Sequence, residues 1–375
     1  MKKIGFSGTD GSIKNSYNKD TDSLLNEIGN NSGNLFFQKA VLESIKEETV
    51  NVGRDLKWNI GKIKEQARLL VVPSANFIRE NTDFTAFVDF LEKVDMPLVF
   101  LGLDVQARDT QQKEFNFHPS VLKLIDLCKE RCKIAGVRGD YTKKILNDFG
   151  VSNTEVTGCP SNFFNKSPDL RERLTQKWKA PIESFIVVQD EIWPSEQKKK
   201  EVERKLVKLS INGSSILIQQ SVPPLINYLR RNNTFSNSKV NSNFIKSVKD
   251  SIAPDIQLER FKSFVNTRFR VYYNIDQWME DSANFSLSVG LRLHGNMISW
   301  QSGTPSIWIY HDSRTKELCD SMCIPSISLD QFMEADTITQ VKEIVDFDLD
   351  KYFTRREILY KQYCDILDLN KIIYE

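Results

Sequence analysis

Along most of the chain, short apolar runs alternate with longer segments of helical periodicity. KIGFSG reads as a first strand, and GNLFFQKAVLESIKEE, after the polar GNNS, as a helix start and body. ARLLVVPS and MPLVFLGL are dense apolar runs bounded by proline, glycine or aspartate, with TAFVDFLEKV a helix between them. Strands this continuously apolar suit a parallel sheet covered on both faces. SVLKLIDLCKERC predicts a helix, KIAGVRG a short strand, DYTKKILNDFG a helix ended by Gly150, and NTEVTGCPSNFF a strand leaving into a proline-containing loop. Residues 1–170 thus read as one α/β domain.

A second unit, 171–335, is expected around the charged, proline-bearing SPDLRERLTQKWKAP. SFIVVQD and SSILIQQ read as strands flanking the helical SEQKKKEVERKLVKLS, whose lysine run at 198–200 is expected on a solvated face. PPLINYLRRN predicts a helix, FRVYYNI a strand, and the polar NNTFSNSKVNSN a connection. DQWMEDSANFSLSVGL leads from helix to strand, and GLRLHGNMISWQSGTPSIWIY adds helix and strand again. Residues 336–375 form a C-terminal helical extension. No fixed-period repeat is apparent. Two similar α/β domains with a substrate cleft between them account for the pattern most simply.

Length and composition narrow the class. At 375 residues two domains are expected, and 51 basic against 50 acidic residues leave no electrostatic footprint for nucleic acid. No apolar run approaches the roughly 18 residues that a spanning helix needs. The N-terminus reads as a strand and not a secretion signal. A cytoplasmic protein is expected, with peripheral attachment to the inner face of the cell membrane left open. The six cysteines include Cys128/Cys132 and Cys319/Cys323, whose spacing fits one helical face and apolar packing better than zinc. With three histidines and no HExxH, no metal is expected.

Arg292 and His294 interrupt an apolar stretch at i,i+2 spacing. If SVGLRLH is extended, the two side chains share one side near the carboxyl end of a strand, a favoured ligand edge in open α/β sheets. Arginine grips carboxylate or phosphate through its planar fork, and histidine exchanges a proton near neutral pH. Arg138 closes IAGVRG before a helix, where it can reach the domain mouth. Gly33 and Asn34 lie where an early loop becomes a helix; Gly102, Gln106, Gly158, Pro160 and Ser161 occupy strand exits. Gly303 and Thr304 precede Pro305 in a turn, and His311 and Lys316 follow the next strand, where they can line the cleft. Neither GxGxxG nor GK[ST] is present, and no serine lies in a nucleophile elbow.

Taken together, GNLFFQKAV, VFLGLDVQ, IAGVRGDYTKKILNDFG, VTGCPSNF and GLRLHGNMISWQSGTPSIWIYHDSRTKEL, in this order, resemble the polysaccharide pyruvyl transferase family. The resemblance implies two Rossmann-like domains in the GT-B arrangement and transfer of pyruvyl from phosphoenolpyruvate to two hydroxyls of a sugar, forming a cyclic ketal and releasing phosphate. It places the family's VR arginine on Arg138 and its RxH pair on Arg292 and His294. On this reading Arg138 and Arg292 hold the donor's anionic groups and His294 supplies or relays the proton. Gly33, Asn34, Gly102, Gln106, Ser161, Gly303, Thr304, His311 and Lys316 bind substrate, and the N-terminal domain takes a saccharide acceptor, lipid-linked or not. Asn34 stands where the family has aspartate or asparagine, so a carboxylate base there is excluded. No cofactor beyond the donor is expected. A GT-B-like glycosyltransferase using a sugar nucleotide, and a non-catalytic carbohydrate-binding protein, are the alternatives.

Overall fold

The computed structural model describes residues 2–107, 111–230 and 238–375, with backbone only at 238–242. Two six-stranded parallel sheets carry the architecture. The first comprises β1 (Lys3–Phe6), β2 (Thr49–Asn51), β3 (Ala67–Pro73), β4 (Leu98–Leu103), β5 (Ala135–Val137) and β6 (Thr154–Val156), in the order β2-β1-β3-β4-β5-β6. The second comprises β7 (Phe185–Val188), β8 (Ser215–Ile218), β9 (Phe269–Arg270), β10 (Leu287–Gly290), β11 (Ser306–Tyr310) and β12 (Ser326–Ser328), in the order β9-β8-β7-β10-β11-β12. Helices cover the faces, so β4 and β7 are buried at every position, as their continuous apolar runs require. These are two Rossmann-like layers in a GT-B-like arrangement, followed by a C-terminal helical region.

Strand order locates the ligand edges. It reverses between β1 and β3 in the first sheet and between β7 and β10 in the second. At such switch points the connections leave on opposite faces and open a crevice at the carboxyl ends. Helices α1 (Asn34–Ser44), α2 (Gln197–Asn212), α3 (Leu293–Gln301), α4 (Ser313–Met322) and α5 (Leu349–Leu369) matter most for the site. Helix α3 is buried along its whole length, with Trp300 packed edge-on against Trp308 and Tyr352. Helix α5 returns to the first sheet: Tyr363 hydroxyl meets Ser44 Oγ at 2.7 Å, and Arg356 donates to the Asn162 carbonyl at 2.9 Å.

Several local expectations differ from what is observed. SPDLRERLTQKWKAP contains a helix, Asp169–Lys179, because Leu170 and Leu174 give it a buried stripe. FRVYYNI is a strand only at Phe269–Arg270, with an isolated bridge from Asn274 to Ser12 before Ile275 begins a helix. Of the polar NNTFSNSKVNSN, residues 232–237 lie outside the described residues, while Ser238–Ile252 is helical. SVGLRLH is a paired strand only to Gly290; Arg292 is the N-cap of α3 and His294 lies in its first turn. The pair therefore does not share one side of a strand.

The β7–β10 register makes Gly290 indispensable. It sits opposite Val188, and a Cβ at Gly290 would stand 2.1 Å from the Val188 carbonyl oxygen. Backbone cannot swing away as a side-chain tip can. Gly290→Ala is expected to cost at least ~1–3 kcal/mol of stability, read as a lowered urea midpoint; an unchanged midpoint would show that the two strands are not in this contact.

Candidate functional site

At the second switch point the loop after β7 carries Asp190 and the turn after β10 carries Arg292. Arg292 Nε forms an ion pair with the Asp190 carboxylate, while its Nη2 donates to Ser221 Oγ at 2.6 Å and more weakly to the Asp190 carbonyl at 3.4 Å. Lys199 of α2 pairs with the same carboxylate and, at 2.8 Å, with Glu191. His311 Nε2, just past β11, lies 3.6 Å from Asp190 Oδ2. Burial alone would raise the Asp190 carboxyl, but Arg292, Lys199 and His311 override it and hold it well below the carboxylate range. Burial lowers His311 in turn, against the pull of Asp312 and Asp190.

Glu203 lies beneath this group with no exposed surface. Its Oε1 accepts the backbone N–H groups of Asp190 at 3.0 Å and Glu191 at 2.8 Å. It thereby fixes the loop that presents Asp190. Burial, then the Asp190 charge, push the Glu203 carboxyl up to about 8.

His294 occupies the seam between the two sheets. Its ring packs on Phe37 of α1, centroids 5.0 Å apart, and Nε2 lies 3.5 Å from Cys159 Sγ, which in turn contacts Ser161 Oγ at 3.0 Å. Burial, then the charges of Arg138, Arg314 and Arg292, drive its pKa well below the usual histidine value. The imidazole is therefore neutral near pH 7, a state that accepts a proton and has none of the imidazolium's acidity to deliver. Arg138, with no exposed surface, bonds Asp104 at 2.9 Å and the Ser74 carbonyl at 3.3 Å, and its guanidinium lies 5.9 Å from the Phe37 ring centre.

Two adjoining clefts open at these edges. The smaller, about 440 Å³, is lined by Asn31, Asn34, Asp190, Trp193, Ser221 and Arg292 among others; the larger, about 920 Å³, follows the ends of β1, β2 and β3. Both include Gly29, Asn34 and Asn76 in their walls. Gly33 backs onto the seam: a Cβ there would stand 2.5 Å from Gln220 Oε1 and 3.1 Å from His294 Cβ. The same Gln220 accepts the Ser32 N–H through its carbonyl at 3.1 Å.

The other expected substrate contacts fall in different places. Gly102, at φ +86, lies under Arg138, where a Cβ would come within 3.7 Å of its Nε. Gln106 sits in a two-residue ladder with Arg79. Ser161 is fully buried behind Cys159. Gly303 and Thr304 lie at the far, C-terminal end of α3, against Arg173 and hydrogen-bonded to the Ser282 carbonyl respectively. Lys316 pairs with Asp320 and lies over Tyr310. None of these six residues lines the smaller cleft.

Sequence reasoning missed Asp190, Lys199, Glu203, Ser221, Trp193 and Arg314. Lys199 corrects the reading of the lysine run: it is only 7% exposed, while its neighbours follow the solvated pattern. The available signal was Asp190 at the carboxyl end of SFIVVQD, the same kind of position that drew notice to Arg292. Arg314 stands 4.0 Å from Asp104 and 3.9 Å from Asp312. Gln220 Nε2, His311 Nδ1 and Arg314 Nε are buried without a hydrogen-bond partner. Orphaned donors concentrated at one seam are what a ligand acceptor would satisfy.

Fold and site together define a two-domain α/β protein of GT-B type, with a polar, hydrogen-bonding cleft at the edge of its second sheet. The chain belongs to the polysaccharide pyruvyl transferase family, whose model matches residues 12–313. A search among curated proteins returned no match. Among solved structures it is similar to Anabaena HepE in complex with UDP and glucose, at 13% identity over 98% of this chain and 100% of that one, TM-score 0.48. UDP-GlcNAc 2-epimerase from Neisseria meningitidis bound to UDP-GlcNAc gives 9% identity over 97% and 100%, TM-score 0.46. The Methanocaldococcus jannaschii UDP-GlcNAc 2-epimerase gives 12% over 96% and 99%, TM-score 0.45. No residue role is transferred from similarity this distant.

The expectation of phosphoenolpyruvate as donor is corrected. The ligands named with these structures are UDP, UDP-GlcNAc and glucose. No helix among the described residues is long and apolar enough to cross a membrane.

Glu203 gives the site a pH signature. A glutamate in the unfolded chain ionises near 4.5, and in the fold near 8. The folded state therefore binds the extra proton, and stability contributed by the uncharged carboxyl is lost as pH rises from about 4.5 through about 8. Glu203→Gln keeps the acceptor oxygen and removes the ionisation. The difference in Tm, variant minus native, is expected to grow by roughly 5 °C across that window and level off above it; a difference independent of pH would refute the burial of an uncharged carboxyl.

Proposed function

We propose that this protein is a transferase of polysaccharide assembly that uses a sugar nucleotide, bound at the second-sheet switch point, to modify a saccharide acceptor. The observation that carries this reading is the β7/β10 crevice, where Arg292, Ser221 and the start of α3 meet beside buried donors without partners. An open α/β sheet with this strand order binds nucleotides at its switch point. Gly290 and Gly295 allow α3 to begin hard against β7: a Cβ at Gly295 would stand 2.4 Å from a Val188 methyl. That close start aims the first-turn N–H groups toward anionic oxygens without a GxGxxG loop.

In this reading the diphosphate lies near Arg292 and the head of α3, and the half-exposed Trp193 offers a flat surface to the base. An acceptor hydroxyl attacks the anomeric carbon, the bond from that carbon to the diphosphate oxygen breaks, and the nucleoside diphosphate leaves with the electron pair. The hydroxyl proton passes to solvent, because His294 is a weak base behind the cleft walls. Arg292 stabilises the charge developing on the leaving oxygen.

Incubation with a panel of UDP-sugars and saccharide acceptors, with phosphoenolpyruvate as the control donor, separates the possibilities by product mass. Addition of a sugar residue with release of UDP is expected. A carboxyethylidene increment with release of phosphate would overturn the reading. Arg292→Lys keeps the charge but loses the planar fork, and is expected to raise KM for the sugar nucleotide about ten-fold or more; steady-state kinetics yielding an unchanged KM would remove Arg292 from the diphosphate site.

A further inference from the structure

The larger cleft contains a surface that the nucleotide site does not use. Its floor includes Phe77, Phe84 and Phe87, and at its rim stands Trp58, 48% exposed. Trp58 is held there at a conformational cost: Lys57 and Trp58 adopt φ values of +52 and +57 in succession. A bulky residue rarely takes the left-handed region unless surrounding contacts enforce it. Here the Trp58 N–H donates to the Val52 carbonyl at 2.8 Å, and the indole edge meets Phe90 with centroids 5.0 Å apart. The indole also lies over Gly53, where a Cβ would come within 3.0 Å of the ring. The loop after β2 thus fixes a large, half-open aromatic side chain that packing alone would bury.

Charge adds a second, independent feature. Lys19 is paired with Glu27, and Arg54 with Asp10 at 2.8 Å, so those charges are compensated. Lys57 and Arg79, exposed and lining this cleft, have no carboxylate ion-pair partner among the described residues, and the exposed Lys14 beside them meets Asp55 only through space. Gln38 spends its amide oxygen on Thr9, leaving its amide nitrogen without a partner among the described residues. A rigid aromatic plate, hydrogen-bonding amides and excess positive charge in one groove match an amphipathic ring bearing an anionic group.

We propose that this groove binds an anionic saccharide, a sugar carrying a phosphate or carboxylate, with a sugar face on Trp58 and its charge toward Lys14, Lys57 and Arg79. The proposal rests on the preceding reading only in calling this saccharide the acceptor. Because Gly29, Asn34 and Asn76 border both clefts, a bound sugar here lies next to the nucleotide site.

Calorimetric titration of the full chain with glucose 1-phosphate, a uronic-acid disaccharide, cellobiose and inorganic phosphate tests it, and the first two probes separate phosphate from carboxylate as the anionic group. At least one charged sugar is expected to bind, at least ten-fold more tightly than cellobiose. Trp58→Ala is expected to weaken that binding ten-fold or more, with Trp58→Phe retaining part of it, and Lys14→Glu/Lys57→Glu to erase the preference for charge. Thermal melts confirm that each variant is folded. UDP titration of the same variants, expected unchanged, keeps the two sites apart: loss of UDP binding by the native chain alone would sink the nucleotide reading and leave this one standing. Binding of the charged sugars that is indifferent to Trp58, binding of phosphate as tight as that of the sugars, or no binding of either charged sugar would each overturn the proposal.

Discussion

The Asp190 carboxylate draws basic side chains from three elements to one point at the edge of the second sheet: the cations Arg292 from the turn after β10 and Lys199 from α2, and the imidazole of His311 from the end of β11. A carboxylate with this little exposure would be costly to ionise in isolation. Surrounded by opposite charge, it stays ionised and fixes the direction of the Arg292 fork. Glu203 makes the arrangement rigid by holding the Asp190 and Glu191 N–H groups from below. Removing one member would leave other buried charges uncompensated, so the group acts as a unit.

The two sheets meet where this unit faces α1. Ser32 bonds to Gln220, Gly33 lies against Gln220 and His294, and His294 packs on Phe37. Farther along the seam, Glu317 of α4 accepts from the Thr142 N–H at 2.6 Å and its hydroxyl at 2.8 Å, with burial pushing the carboxyl up to about 7. Such contacts let residues about 260 positions apart in the chain share one small volume. They also account for the tolerance of so many arginines near His294: Asp104, Asp190 and Asp312 lie among them.

Most of the architecture was legible because buried parallel strands leave a plain trace. ARLLVVPS, MPLVFLGL, SFIVVQD and SIWIY could hardly be solvent-facing, and each is a strand. The site was less legible. Arg292, His294 and Arg138 stood out as charges interrupting apolar runs, yet the geometry read from them assumed that the strand continued through Arg292. It stops at Gly290, since beyond that point the backbone turns into α3 over Val188. Lys199 was hidden inside a run of three lysines, where periodicity alone does not show which one turns inward.

The sequence by itself determined two α/β layers and the helical C-terminal region, and singled out the strand edge around residues 290–311, because apolar periodicity and strand ends are local properties. Tertiary structure decided everything that depends on charge partners. It showed that Arg138 and Arg292 are each paired with an aspartate, that burial and then three arginines keep His294 neutral, and that Gly303 and Thr304 belong to the far end of a helix. Electrostatic partnership joins residues distant in the chain, and nothing in the spacing of one segment records which other segment the fold brings to meet it.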